Sequence, residues 1–274
     1  MLKYRVLSAV VGIPLLALIF VVGGIPFLLL NLAVIIIGIN EYFKLIKAKV
    51  DTGDKKIAIL AGVILLMTIY FKQDLALVYF ILVTLMVLMF LKNIFQAKIE
   101  GAILNSAVSY FSFFYIAGLF SHFMLLANVV LPKLEFSSTL DYQLVLWLPL
   151  LATWATDTGA YFSGLHLGRS PLAPKISPNK TIEGGIGGLF SCIIVTFLLS
   201  IYLGFGYLNG IILGALIGVF AQLGDLTVSL FKRDAEVKDS GDLIPGHGGL
   251  LDRIDSLLFT IPIVYYYIYL IIIG

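Results

Sequence analysis

Apolar residues along this chain gather in long runs separated by short polar loops. Nine runs read as membrane-spanning helices: Val6 to Val22, Ile25 to Ile39, Ile57 to Phe71, Leu75 to Leu91, Ile103 to Val130, Leu144 to Phe162, Gly184 to Leu203, Leu208 to Leu230, and Leu257 to Ile273. A helix of about 20 apolar residues crosses the hydrocarbon core. The shorter second and third runs span with little tilt or with help from flanking interfacial residues. The expected architecture is an all-α integral membrane protein of about nine transmembrane helices. Residues 1–100 would hold about four of them, and residues 101–274 about five and the catalytic region. No internal repeat or low-complexity segment interrupts this order.

Composition removes the main alternative. The chain is 60% hydrophobic and 12% charged, with a mean hydropathy of +1.05. A soluble globule of 274 residues needs far more polar surface than 18 basic and 16 acidic residues supply. Lys3 and Arg5 precede the first run, but no small-residue cleavage site follows, so the first span is not expected to be a removed signal peptide. The single cysteine, Cys192, lies in an apolar run and reads as a buried structural thiol.

Charge orients the spans. With the N-terminus in the cytoplasm and nine alternating spans, 16 of the 18 Lys and Arg fall on the cytoplasmic side, and only Lys72 and Lys133 fall outside. That bias is the one expected of short loops in multi-pass proteins, and it places the C-terminus outside. It sets orientation without any function, so it says nothing by itself about an anionic substrate. No nucleic-acid partner is expected.

Against this background one segment departs. Ser229 to Asp255 holds ten of the charged residues and one of the three histidines, between two apolar runs. Asp157 and Asp225 lie late in the sixth and eighth spans, and Asp252 and Asp255 open the ninth. Carboxylates at membrane depth cost several kcal/mol unless they face a cavity, a cation or a partner. Gln222, Asp225, Ser229 and Lys232 are spaced to share one helical face, and Asp252 and Asp255 share another. Two acidic faces joined by one loop can meet at a shared cation. Hard oxygen donors without cysteine suit Mg²⁺, which keeps waters and favours phosphate oxygens over an all-protein cage. The number of ions, and whether a second metal or a monovalent cation shares the site, stays open.

Two loops carry the matching cations. Lys232, Arg233, Lys238 and Arg253 flank P-G-H-G-G, in which Gly248 and Gly249 allow backbone N–H groups to approach a phosphate and His247 can donate to one. The second loop, Arg169 to Glu183, holds Ser177 and carries Arg169, Lys175 and Lys180 separated by prolines that restrict it. Thr181 reads as a helix cap and Glu183 as a cap or a metal ligand. The G-G-I-G-G that follows reads as a close helix-packing surface.

With these residues in view, the chain resembles the bacterial phosphatidate cytidylyltransferases. The resemblance rests on Ser229, Lys232, Arg233, Lys238, Asp239, Gly241, Ile244, Pro245, His247, Gly248, Gly249, Asp252, Arg253 and Asp255, which fill the positions of S-x-x-K-R … K-D … H-G-G … D-R-x-D. D-T-G-A-Y at Asp157 to Tyr161 and S-P-N-K-T-I-E-G at Ser177 to Gly184 also look like family motifs. Asn179 stands where a lysine is common. The match covers roughly Leu144 to Pro262.

The resemblance implies that CTP and phosphatidic acid give CDP-diacylglycerol and pyrophosphate in the bacterial cytoplasmic (inner) membrane, with the active site facing the cytoplasm. It implies membrane lipids and a homodimer as partners and Mg²⁺ as cofactor. Catalysis would rest on Asp225, Asp252, Asp255, Lys232 and Arg253, with Asp157 and Glu183 as further metal candidates. Substrate phosphates would meet Arg169, Lys175, Ser177, Lys180, Thr181, Ser229, Arg233, Lys238, His247, Gly248 and Gly249. Two rivals are weaker. A CDP-alcohol phosphotransferase needs a D-G-x-x-A-R run that is absent here. A transporter or ion-coupled carrier using membrane carboxylates would place them near the midplane of a repeat, whereas these lie on one side.

Overall fold

The structure, a computed structural model, describes residues 2–47, 54–72, 74–96, 99–136, 138–241 and 248–274. Helices α1 (Leu2–Val22), α2 (Gly24–Ile46), α3 (Lys55–Phe71) and α4 (Leu75–Phe95) follow one another. The fifth apolar run is helical but irregular. It passes from α5 (Ala102–Ser112) through a π-helical stretch (Phe113–Gly118), α6 (His122–Leu125) and a second π stretch (Leu126–Val130) to a 3₁₀ turn (Leu131–Lys133). Then come α7 (Thr139–Leu167), strands β1 (Pro171–Ala173) and β2 (Ser177–Thr181), α8 (Ile182–Tyr202), α9 (Tyr207–Asp234), and α10 (Leu251–Tyr267), which closes in a π stretch (Ile268–Ile272).

Each of the nine apolar runs falls on helix. Six helices among the described residues are long and apolar enough to cross a membrane: Gly24–Ile46, Ala76–Phe95, Ala102–Lys133, Ile182–Tyr202, Tyr207–Asp234 and Leu251–Ile272. Of the rest, α1 contributes only Val10–Val22 as a shorter apolar helix, α3 has 17 residues, and α7 carries Thr153, Thr156, Asp157 and Thr158. Outward faces are apolar: Phe80 and Val83 on α4 are 66% and 61% exposed, and Ile194 and Leu198 on α8 are 58% and 59% exposed. Surfaces of this kind suit lipid, not water, which fits a multi-pass membrane protein.

Two compact units divide the chain. The first joins Met1–Asn128 to Asp234–Asp252. Its core is aliphatic and aromatic: Ile35, Ile39, Leu66, Phe113 and Ile116 are fully buried, and Phe20, Phe27 and Phe123 meet edge to face. Gly62 lets α3 approach α2 closely, since a Cβ there would stand 3.0 Å from both Ile35 and Ala117. Asp54 accepts from Lys92, and its backbone N–H donates to the Ser109 hydroxyl. The irregularity of the fifth run has local causes. The Ser112 and Ser121 hydroxyls donate to Ser109 O and Gly118 O, and His122 Nδ1 donates to Gly118 O. Side chains that enter the backbone ladder in this way loosen the regular α pattern.

The second unit joins Val129–Arg233 to Arg253–Gly274. Small residues hold its helices together, as the sequence suggested for G-G-I-G-G. A Cβ on Gly188 of α8 would stand 2.7 Å from Thr156 O of α7, and one on Gly184 would stand 2.9 Å from Ala160 O. On its other side α8 meets α9, where a Cβ on Gly214 would stand 2.7 Å from Ile193 Cα. Cys192 is fully buried in α8. In a membrane, such close backbone approach supplies the van der Waals packing that water would otherwise drive through the hydrophobic effect. Among the described residues, one segment pairs as strands and not as helix. The proline-rich Arg169 to Glu183 segment forms a short antiparallel hairpin, with Pro171 opposite Thr181 and Ala173 opposite Ser177. Pro171, Pro174 and Pro178 exclude a helix there, so the fold is nearly all helical with one small β-ribbon.

Candidate active site

The second unit contains a cavity of about 590 Å³ whose lining includes Asp157, Tyr161, Gly164, Asn179, Lys180, Thr181, Gln222 and Asp225. This lies within the range of small-molecule sites, about 300–1,000 Å³. Three elements deliver its polar groups: α7 brings Asp157, β2 brings Asn179 and Lys180, and α9 brings Gln222 and Asp225. Asp225 is held at both oxygens. Oδ2 pairs with the Lys180 ammonium, and Oδ1 accepts from the Ser229 hydroxyl at 3.3 Å. The face expected on α9 is therefore real: Gln222 and Asp225 line the cavity and Ser229 supports Asp225 from one turn below. Gln222 Nε2 donates to Gly185 O at 3.1 Å and to Gly218 O at 2.9 Å, which fixes its amide.

Asp255 on α10 joins this constellation electrostatically. Asp157, Asp225 and Asp255 repel one another, Lys180 and Arg253 oppose Asp157, and Lys232 opposes Asp255. Three acids and three bases thus act on one another within a largely apolar unit. Among the described residues, no group of three or more His, Cys, Asp or Glu is placed to hold a metal ion.

The hairpin shapes the rim. Thr181 caps α8, its hydroxyl accepting from Gly184 N–H at 3.1 Å. Glu183 accepts from the N–H groups of Arg169 and Ser170 at 3.0 and 3.2 Å. It serves as a cap for the turn leaving α7, and it is not among the cavity-lining residues. Arg233 Nε donates to Ile176 O at 3.1 Å, tying the hairpin turn to the end of α9. A two-stranded ribbon alone is marginal; these contacts hold it. Lys175 stands at the exposed hairpin turn and Ser177 at the start of β2.

The remaining residues belong to the first unit. Asp252 Oδ2 accepts from Ser240 N–H at 2.8 Å, Ser240 hydroxyl at 2.9 Å and Gly249 N–H at 3.1 Å. Gly248 has φ +80°, the left-handed region that favours glycine. Lys238 is exposed, and His247 lies outside the described residues. Two participants were not visible in the sequence: Ser240 and Glu41. Glu41, just beyond the second apolar run, accepts from Leu250 N–H at 2.9 Å and Leu251 N–H at 2.7 Å. A lone acid at the end of an apolar helix was the available signal.

Comparison with known proteins decides what this geometry belongs to. The model of the Cytidylyltransferase family matches residues 3–271. The chain belongs to the cytidylyltransferase family. It is 37% identical to a phosphatidate cytidylyltransferase of Synechocystis sp. over 98% of this chain and 97% of that protein. It is 32% identical to the Bacillus subtilis phosphatidate cytidylyltransferase over 97% of each. A Staphylococcus aureus phosphatidate cytidylyltransferase is 51% identical over 41% of this chain and 44% of its own length. As a cytidylyltransferase, the chain has an enzymatic reason to keep acids and bases together in apolar surroundings.

Proposed function

We propose that this cytidylyltransferase transfers CMP from CTP to phosphatidic acid. The cavity beside the Lys180–Asp225 pair supports this reading, because one cation and two carboxylates line it, the kind of groups a reaction between two polyanions needs. A non-bridging oxygen of the lipid phosphate attacks the α-phosphorus of CTP. The bond from the α-phosphorus to the oxygen bridging it to the β-phosphorus breaks, and pyrophosphate leaves with the bond's electron pair. The nucleophile is already an anion, so no strong general base is needed. Catalysis reduces to positioning and neutralising charge.

Lys180, Lys232 and Arg253 supply that neutralisation in the second unit, with Arg169, Lys175, Ser177, Thr181, Ser229 and Arg233 as further phosphate contacts. Lys238, His247, Gly248 and Gly249 are proposed phosphate contacts through their places in the sequence motif. The acids fit Mg²⁺: cavity-facing carboxylates too few for an all-protein cage suit an ion that keeps waters and takes phosphate oxygens. Asp225 and Asp157 would hold it; Asp252 and Asp255 are proposed as metal-binding acids only through their places in the D-R-x-D motif. When bound it neutralises phosphate charge. Glu183, committed to two backbone N–H groups, is better read as a loop cap than as a ligand.

The test uses purified protein, phosphatidic acid and Mg²⁺ with CTP labelled at the α- or γ-phosphate. The α-label is expected in the lipid product and the γ-label in pyrophosphate. An active transporter without label transfer would favour the carrier reading instead.

Topology is part of the proposal: nine spans in the bacterial inner membrane, the N-terminus and the cavity on the cytoplasmic side, and the C-terminus outside. The cation distribution supports it. In a Cys192→Ala background, a cysteine replacing Lys72 is expected to react with an impermeant maleimide added outside intact cells. One replacing Lys175 is expected to react only after lysis. Equal labelling of both from outside would refute this orientation.

A further inference from the structure

Glu41 is a carboxylate that no step above uses. It lies in the last turns of α2 and is 4% exposed. Leaving a charged group at such a position without function is costly, because a charge taken out of water must be repaid by strong partners. Its partners are specific. Oε1 accepts from Leu250 N–H at 2.9 Å, and Oε2 accepts from Leu251 N–H at 2.7 Å. These are N–H groups at the start of α10, which lack partners inside that helix and carry its positive end.

The same carboxylate reaches Asp252 through one hydroxyl. Ser240 Oγ stands 3.3 Å from Glu41 Oε2 and 2.9 Å from Asp252 Oδ2. A hydroxyl has one proton to give. That proton is shared between the two carboxylates, with Asp252 the nearer acceptor and Glu41 the second, so a change at Glu41 alters what Ser240 gives to Asp252. Two glycines are required for the arrangement. A Cβ on Gly249 would stand 2.6 Å from Glu41 Oε2, and one on Gly241 would stand 2.7 Å from Glu41 Oε1. The glycines of this segment therefore admit a carboxylate from α2, a use that phosphate binding alone does not explain.

We propose that Glu41 is a positioning residue for the transfer reaction. It locks the Ser240–Gly241 and Gly248–Asp252 ends of the motif segment together, and through Ser240 it sets the orientation of the Asp252 carboxylate. The proposal rests on the reading of Asp252 as part of the reaction machinery.

The experiment compares Glu41→Gln, Glu41→Asp, Ser240→Ala and the double variant Glu41→Gln/Ser240→Ala with the parent protein. Turnover and backbone amide exchange are both measured. Glu41→Gln is near-isosteric but offers an –NH₂ where an acceptor is needed, and kcat is expected to fall about 10- to 100-fold, the usual effect of losing an orienting partner. KM for phosphatidic acid is expected to stay within about twofold, and Glu41→Asp to recover part of kcat. Exchange is expected to quicken in peptides covering 248–256 and to stay unchanged in peptides from α8. The double variant is expected to lose less than the product of the single effects, because both act on Asp252.

Parent-like kcat in Glu41→Gln would overturn the proposal. So would a loss of kcat accompanied by faster exchange throughout the protein, which marks unfolding, or full additivity in the double variant. A parent protein that fails to transfer CMP would instead overturn the reaction assigned above, and faster exchange confined to 248–256 would still report the Glu41 clamp.

Discussion

Asp225→Asn is expected to abolish most turnover while leaving the fold intact. The substitution keeps the volume and one oxygen of the side chain but removes its charge. Asp225 is the acid with the most committed surroundings in the cavity: the Lys180 ammonium on one oxygen and the Ser229 hydroxyl on the other. A group that organises charge in a transferring phosphate site typically contributes about 10²- to 10³-fold to kcat, and a shared metal would raise the loss. Stability tells a different story. The Lys180 and Asp225 side chains are 28% and 30% exposed, and partly solvated pairs contribute about 0–1 kcal/mol. Removing one of three mutually repelling carboxylates offsets some of that. The thermal midpoint is therefore expected to move by no more than about 2–4 °C. Near-parental kcat, or a loss explained by unfolding, would remove Asp225 from the centre of the site.

Gly188→Val is expected to do the reverse, costing fold and activity together. The contact at Gly188 is with backbone: its Cβ would stand 2.7 Å from Thr156 O and 3.1 Å from Ala160 Cβ. A flexible side chain could swing aside, but a carbonyl inside α7 cannot, so the two helices must part. Overpacking of this kind costs about 1–3 kcal/mol or more. It also displaces Thr156, the neighbour of Asp157. Gly188→Ala should lie between the parent and Gly188→Val. Gly12→Val is the control, since nothing lies within 4 Å of the Cβ position there. Yield of folded protein in detergent and thermal unfolding are the measurements. Equal behaviour of the Gly188 and Gly12 variants would contradict the packing described for α7 and α8.

Much of this was legible in the sequence for reasons that can be stated. Apolar runs announce helices in a membrane because lipid leaves the backbone no other partner than itself. Gln222, Asp225 and Ser229 could be placed on one face because helical spacing is local. Thr181 read as a cap from its position before α8, and G-G-I-G-G read as a packing surface. Three things were not legible. The π stretches of the fifth run depend on hydroxyl and imidazole groups competing for carbonyls, which no hydropathy pattern encodes. The Arg169 to Glu183 hairpin needs Arg233 and Glu183 to hold it. The Glu41 clamp joins residues 199 to 210 positions apart, a contact that only tertiary structure creates. It also changes the meaning of Gly249, which sequence alone assigns to phosphate, and it gives a use to Gly241, which was only a motif position.

The most direct test asks whether nucleotide phosphates occupy the cavity beside Lys180 and Asp225. Asn179 lines that cavity without pairing to either acid, so a cysteine there, in a Cys192→Ala background, reports on its occupancy. In a variant that retains CMP transfer, CTP with Mg²⁺ is expected to slow alkylation of this cysteine, with half-protection near the KM for CTP. A cysteine replacing Lys72 should react at the same rate throughout. An active variant whose position 179 is alkylated equally fast at saturating CTP would contradict the placement of the reaction in this cavity.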